Sequence, residues 1–145
     1  MAKQNPVVHF EMGYQDPERM CKFYETVFGW KTQPLGAEMG GYVLAQTVDS
    51  DERTGRPTVP GAINGGFYQK TDNPQSHPPS VVIAVDDIRA TMKALVDRGG
   101  TIMGAMDAAG NRTMEPMQIP GVGLWISAMD TEGNRISLLQ PDGVR

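Results

Sequence analysis

The chain has 145 residues, 39% of them hydrophobic and 21% charged, with a formal net charge of −4 and a pI near 5.1. That length suits one domain with a sizeable core, and that balance suits a folded globular chain rather than a disordered one. The acidic balance argues against nucleic acid or an anionic membrane surface as partner, and no apolar run approaches the ~20 residues a membrane helix needs.

Residues 7–14 alternate. Val8, Phe10, Met12 and Tyr14 are expected to pack on a helix, while Val7, His9, Glu11 and Gly13 face a cavity or solvent. Asp16-Pro17-Glu18 is a helix start: the aspartate caps free N–H groups, and proline at the first helical position loses nothing by lacking its own. Met20, Phe23, Tyr24, Val27 and Phe28 then form one apolar stripe, and Gly29 supplies the stop. Cys21 lies inside this helix and reads as a small packed residue. As the single cysteine it forms no internal disulfide, and with no apolar leader in MAKQNP a cytoplasmic setting is favoured. Trp30 and Lys31 open the next strand. Residues 35–41 read as a turn, 42–48 as a strand and 49–60 as a polar loop. Residues 62–69 read as a strand interrupted by Gly65-Gly66, a pair that marks a bulge or a close backbone approach.

Residues 71–79, TDNPQSHPP, form a turn-rich linker too short for a flexible tether. A strand over 80–85 follows, then a helix capped by Asp87, carrying the stripe Ile88, Met92, Leu95 and Val96 and ending near Gly99-Gly100. Strands are expected near 101–106, 114–119, 121–129 and 135–140, with a loop over 107–112 and a hairpin turn at Thr131-Glu132-Gly133-Asn134. This second half repeats the first. A shift of 71 places Phe10 on Val81, Met12 on Ile83, Tyr14 on Val85, Asp16 on Asp87, Tyr24 on Leu95, Gly29 on Gly100 and Gln69 on Gln140. The agreement is partial, since Arg98 stands where Val27 stood. The expected fold is α+β: two tandem βαβββ modules, about 5–70 and 80–141, in a single domain over 1–145 whose mixed sheet curves.

The segments HFEMGYQDPERMCKFYETVFGW, VVIAVDDIRATMKALVDRGG and MDTEGNRISLL, taken together, resemble the vicinal oxygen chelate superfamily, the glyoxalase, bleomycin-resistance and extradiol-dioxygenase group. The resemblance spans roughly 7–140, and MEPMQIPGVG further resembles a branch of small glyoxalase-like proteins. It implies two modules whose sheets curl around a cleft. In metal-using members that cleft holds one divalent ion, with ligands from the first and fourth strands of each module.

The repeat locates the four ligand positions. The first is His9, whose mate is Ser80. The last falls at Ser137, shortly after the D-x-E-G-N turn, and its mate is Gly66. Only His9 is a good transition-metal ligand, whereas a catalytic zinc site needs about three. No metal or other cofactor is therefore expected; a divalent ion on His9, with Glu11 and His77 as substitutes, is the alternative. The expected function is metal-free binding of a small organic ligand in the cleft, by His9, Tyr42, Gly66, Phe67, Ser80, Trp125 and Ser137 together with Glu11. For Trp125 the strand parity leaves pocket and core open. The alternative function is a lyase- or isomerase-type enzyme, with His9 as general base oriented by Glu11 or as part of a weak metal site. A structural or regulatory partner domain is a third class that no feature of the chain favours. Small members of the superfamily often complete the cleft across two chains, which implies a homodimer.

Overall fold

Two aspartates start the two helices. Asp16 accepts a hydrogen bond from the Arg19 N–H at 3.1 Å and Asp87 one from the Ala90 N–H at 3.1 Å, which satisfies donors that the first helical turn leaves without a partner. Around them the computed structural model, which describes residues 3–143, builds two compact units. One is His9–Pro79. The other runs from Ser80 onward and includes the N-terminal segment up to Val8, where the Ala84 N–H donates to the Pro6 carbonyl.

Module one contains β1 (Val7–Tyr14), α1 (Pro17–Phe28), β2 (Lys31–Pro34), β3 (Val43–Gln46) and β4 (Asn64–Gln69). Its strands lie in the order β2-β3-β4-β1, with β4 and β1 parallel and the other pairs antiparallel. Module two contains β5 (Ser80–Ala84), α2 (Ile88–Asp97), β6 (Thr101–Met106), β7 (Arg112–Thr113), β8 (Met117–Ile119), β9 (Gly123–Met129) and β10 (Arg135–Pro141). Its order, β6-β9-β10-β5, repeats the first, with β7 added beyond β6 and β8 paired to β9. The fold is therefore α+β and built of two βαβββ modules. Among the described residues no helix is long and apolar enough to cross a membrane.

The repeat holds at the level of register. In module one Phe10 pairs with Gly65, Glu11 with Gly66 and Met12 with Phe67; a shift of 71 gives Val81 with Ile136, Val82 with Ser137 and Ile83 with Leu138, and all three pairs are present. Between β6 and β9 module two has an insertion. Val43 pairs with Phe67 and Ile126 with Leu138, so β3 maps to β9 by 83 residues rather than 71, and the twelve extra residues carry β7 and β8. The helix stop also slips. Gly29 has φ 70, but in module two the glycine in the left-handed region is Gly99, φ 99, one residue before the expected Gly100. Gly100 is instead pressed on Leu95, where a Cβ would lie 2.5 Å from Cδ2.

Each helix covers one face of its own sheet. In module one the buried set is Tyr14, Val43, Ala45 and Phe67, backed by Phe10, Met12, Met20, Cys21, Tyr24 and Trp30. In module two it is Val85, Ile88, Ala105, Ile126 and Leu138, backed by residues that include Met92 and Leu95. The stripe expected on α1 is wider than the face that is covered. Phe23, Val27 and Phe28 stay 52%, 56% and 59% exposed, because the covered face centres on Met20, Cys21 and Tyr24. The mismatch of Val27 with Arg98 follows: both are surface positions. Val96, expected in the second stripe, is likewise exposed, as is Val8 at the start of β1. Gly65-Gly66 does not interrupt β4, whose pairing runs unbroken from Asn64 to Gln69. The pair permits close approach: a Cβ on Gly65 would lie 2.5 Å from the Phe10 ring, and one on Gly66 2.1 Å from the Tyr42 hydroxyl.

Candidate functional site

On the face of the module-one sheet away from α1, strand parity places His9 and Glu11 of β1 beside Asn64 and Gly66 of β4. Tyr42 enters this face from the residue before β3. Its approach is fixed from the opposite face, where the Tyr14 hydroxyl donates to the Gly41 carbonyl at 2.6 Å and Gly41 takes a left-handed φ of 73. The Tyr42 ring then lies over Gly66. Its hydroxyl sits 3.0 Å from His9 Nε2 and is hydrogen-bonded to Glu11, a carboxylate only 8% exposed.

The proton arrangement follows from the chemistry. Burial, then the charge of Glu11 and its hydrogen bond, then Tyr68, raise the Tyr42 pKa well above that of an ordinary phenol. Tyr42 therefore keeps its proton at neutral pH. An ionised carboxylate only accepts, so the phenol donates to Glu11, and its oxygen accepts from His9 Nε2–H. Burial lowers the His9 pKa to about 4, which makes the ring neutral at pH 7. His9 thus presents Nδ1 as an acceptor, with Tyr42 standing between it and Glu11.

On the corresponding face of module two, Ser80 and Ser137 are 5% and 0% exposed. An Arg135 N–H donates to the Ser80 hydroxyl at 3.0 Å, and Ser127, paired with Ser137 across β9 and β10, directs its hydroxyl to the Met103 sulfur at 3.8 Å. One of the expected binding residues lies elsewhere. Phe67 is on the helix side, 1% exposed, with its ring edge-on to Phe10 at 6.3 Å. Adjacent strand residues face opposite ways, so Gly66 and Phe67 cannot line one face, and this was readable from the sequence. Trp125 lies two residues from Ser127 in an unbroken register, so parity keeps it on the Ser137 face, half-buried and in contact with the module-two core. His77 is exposed and held in the linker, its Nε2 3.0 Å from the Thr71 carbonyl. Among the described residues no group of three or more His, Cys, Asp or Glu side chains is placed to hold a metal ion.

A cavity of about 310 Å³ opens at the other end of β1, between Gly13 and Tyr14, the first turns of α1, and Lys70. None of the residues expected to bind a ligand lines it, although the D-P-E-R signature contributes Asp16 and Arg19 to its wall.

Comparison with known proteins matches residues 7–138 to the model of the Glyoxalase/Bleomycin resistance protein/Dioxygenase superfamily. A glyoxylase-like domain-containing protein of Didymella fabae is 29% identical over 136 residues, covering 92% of each chain. Among solved structures, methylmalonyl-CoA epimerase in complex with methylmalonyl-CoA and NH4+ superposes with a TM-score of 0.65 at 14% identity, over 99% of each chain. A hypothetical protein from Bacillus halodurans C-125 superposes with a TM-score of 0.64 at 12% identity, also over 99% of each chain. At these identities the structural likeness speaks for the fold.

Proposed function

The chain belongs to the Glyoxalase/Bleomycin resistance protein/Dioxygenase superfamily, and on that premise we propose that it binds a small organic ligand on the faces of its sheets away from the helices without a metal ion. The observation that carries this reading is Tyr42 seated on Gly66. Of the four positions that hold the ion in metal-using members, Gly66 offers no donor and its space is filled by a phenol. His9 spends Nε2 on that same phenol. Ser80 receives a guanidinium N–H, and a cation beside a ligand position repels a divalent ion. Ser137 is a buried neutral hydroxyl. This donor set does not fit a divalent ion.

His9, Glu11 and Tyr42 then form a preorganised polar group on module one. On module two Ser80 adds a hydroxyl oriented by Arg135, while Ser137, 0% exposed, backs that face without reaching a ligand. Such groups orient an organic ligand by hydrogen bonding, His9 Nδ1 accepting and the Ser80 hydroxyl donating. The reading is tested by elemental analysis of protein purified without chelator, together with a thermal-shift screen of small organic compounds. Metal below stoichiometric level and stabilisation by a compound whose effect is lost in His9→Ala support it; one transition-metal ion per chain overturns it.

The enzyme reading draws on the epimerases whose fold this chain shares. It asks His9 to remove a proton, and a ring whose pKa burial has taken to about 4 is a weak base at neutral pH. Association into a homodimer is part of the proposal and is checked by size-exclusion chromatography with light scattering.

A further inference from the structure

We propose that module one carries a second ligand site, remote from His9, that takes a small organic anion with a planar apolar body, such as an aromatic carboxylate. The site is the cavity of about 310 Å³ at the end of β1. His9 and Tyr14 are five residues apart on one strand, roughly 16 Å at about 3.3 Å per residue, so the two sites do not share a ligand of this size.

Its walls combine two chemistries. The floor is aromatic: Tyr24 belongs to the module-one core, and Phe23 meets it edge-on at 5.2 Å while staying 52% exposed. Two cations, Arg19 and Lys70, line the same cavity. The backbone holds Lys70 there. Its N–H donates to the Tyr14 carbonyl at 2.9 Å, and its stem lies along Gly13, where a Cβ would be 2.5 Å from Lys70 Cγ. Among the described residues the ion pairs belong to Lys3, Lys31, Arg89 and Lys93, so neither Arg19 nor Lys70 is neutralised. Asp16 is the one carboxylate on the wall, and it is committed to the Arg19 backbone N–H. In a chain of net charge −4 this is a locally basic cavity over an apolar floor. An anionic head between Arg19 and Lys70, with a flat body covering Phe23, satisfies both.

Amide-detected NMR titration of the full chain tests this, with naphthoate as probe and the neutral naphthamide as control. Naphthoate is expected to shift the amides of Gly13, Gln15, Arg19 and Lys70 and to bind about tenfold more tightly than naphthamide, the scale of one charge-assisted contact. Arg19→Gln with Lys70→Gln should remove that difference while leaving the circular dichroism unchanged, and Phe23→Ala should weaken both probes. Equal binding of the two probes, shifts confined to the surroundings of His9, Glu11 and Tyr42, or no shift at millimolar probe each overturns the proposal. None of these outcomes bears on the metal question, so this site and the proposed function stand or fall separately.

Discussion

Gly66→Ala tests whether Tyr42 is truly seated on β4. The added methyl would lie 2.1 Å from the Tyr42 oxygen and 2.2 and 2.3 Å from two ring carbons. Carbon contacts settle near 3.5–4.0 Å, so the ring must move by more than about 1 Å. Overpacking of this kind costs about 1–3 kcal/mol. The displaced hydroxyl also leaves His9 Nε2, now 3.0 Å away, at a further cost of about 1–3 kcal/mol for a buried donor losing its acceptor. Alanine is better than glycine in a strand by about 0.5–1 kcal/mol, which offsets part. The expected net loss is about 2–4 kcal/mol, read by urea denaturation at constant m-value. The cycle with Tyr42→Ala makes the test specific: without the ring, Gly66→Ala should cost nothing. A single-variant loss under about 0.5 kcal/mol, or the same loss in both backgrounds, would refute the reasoning.

His9 predicts the acid limb of stability. Its folded pKa, about 4, lies below the unfolded value of 6.5, so the unfolded chain binds the extra proton. Stability is complete above pH 6.5 and falls towards pH 4 by up to about 3 kcal/mol. Denaturation at stepped pH should show this and His9→Gln should flatten it; an imidazole titrating near 6.5 by NMR would contradict it. Gly123→Ala should cost at least about 3 kcal/mol in the same assay, because φ is 146 and the new Cβ would lie 2.1 Å from the Gln140 carbonyl oxygen, where no rotamer change gives relief. Asp87→Ala should cost about 1 kcal/mol through the lost cap of α2, and Asp87→Asn should restore most of it.

The fold was legible because its signals are local and occur twice. The aspartate caps, the glycine stops and the alternation of β1 all lie within a few residues of what they determine. The constant shift of 71 then carried register information that a single module could not. What misled was breadth. Phe23, Val27 and Phe28 have helical spacing, but how much of a stripe a sheet covers depends on strands far away in sequence. The site was half legible. His9 and Glu11 share a strand face by parity alone, and Tyr42 was among the expected binding residues. That Tyr42 would link the two across Gly66 depends on pairing between β3, β4 and β1, and on Tyr14 holding Gly41 from the opposite face. The Gly65-Gly66 pair left two readings open, and only the neighbouring rings decide for close approach.

The chain's two tryptophans are divided between the modules. Trp30 stacks on Tyr24 at 4.7 Å and 16° in module one, and Trp125 packs on the core of module two. Each half therefore carries its own optical reporter. In Trp30→Phe the emission follows module two alone, and in Trp125→Phe it follows module one. Superimposable melting traces from the two variants would mean that the duplicated halves unfold as one cooperative unit, and separated traces would give each half its own transition.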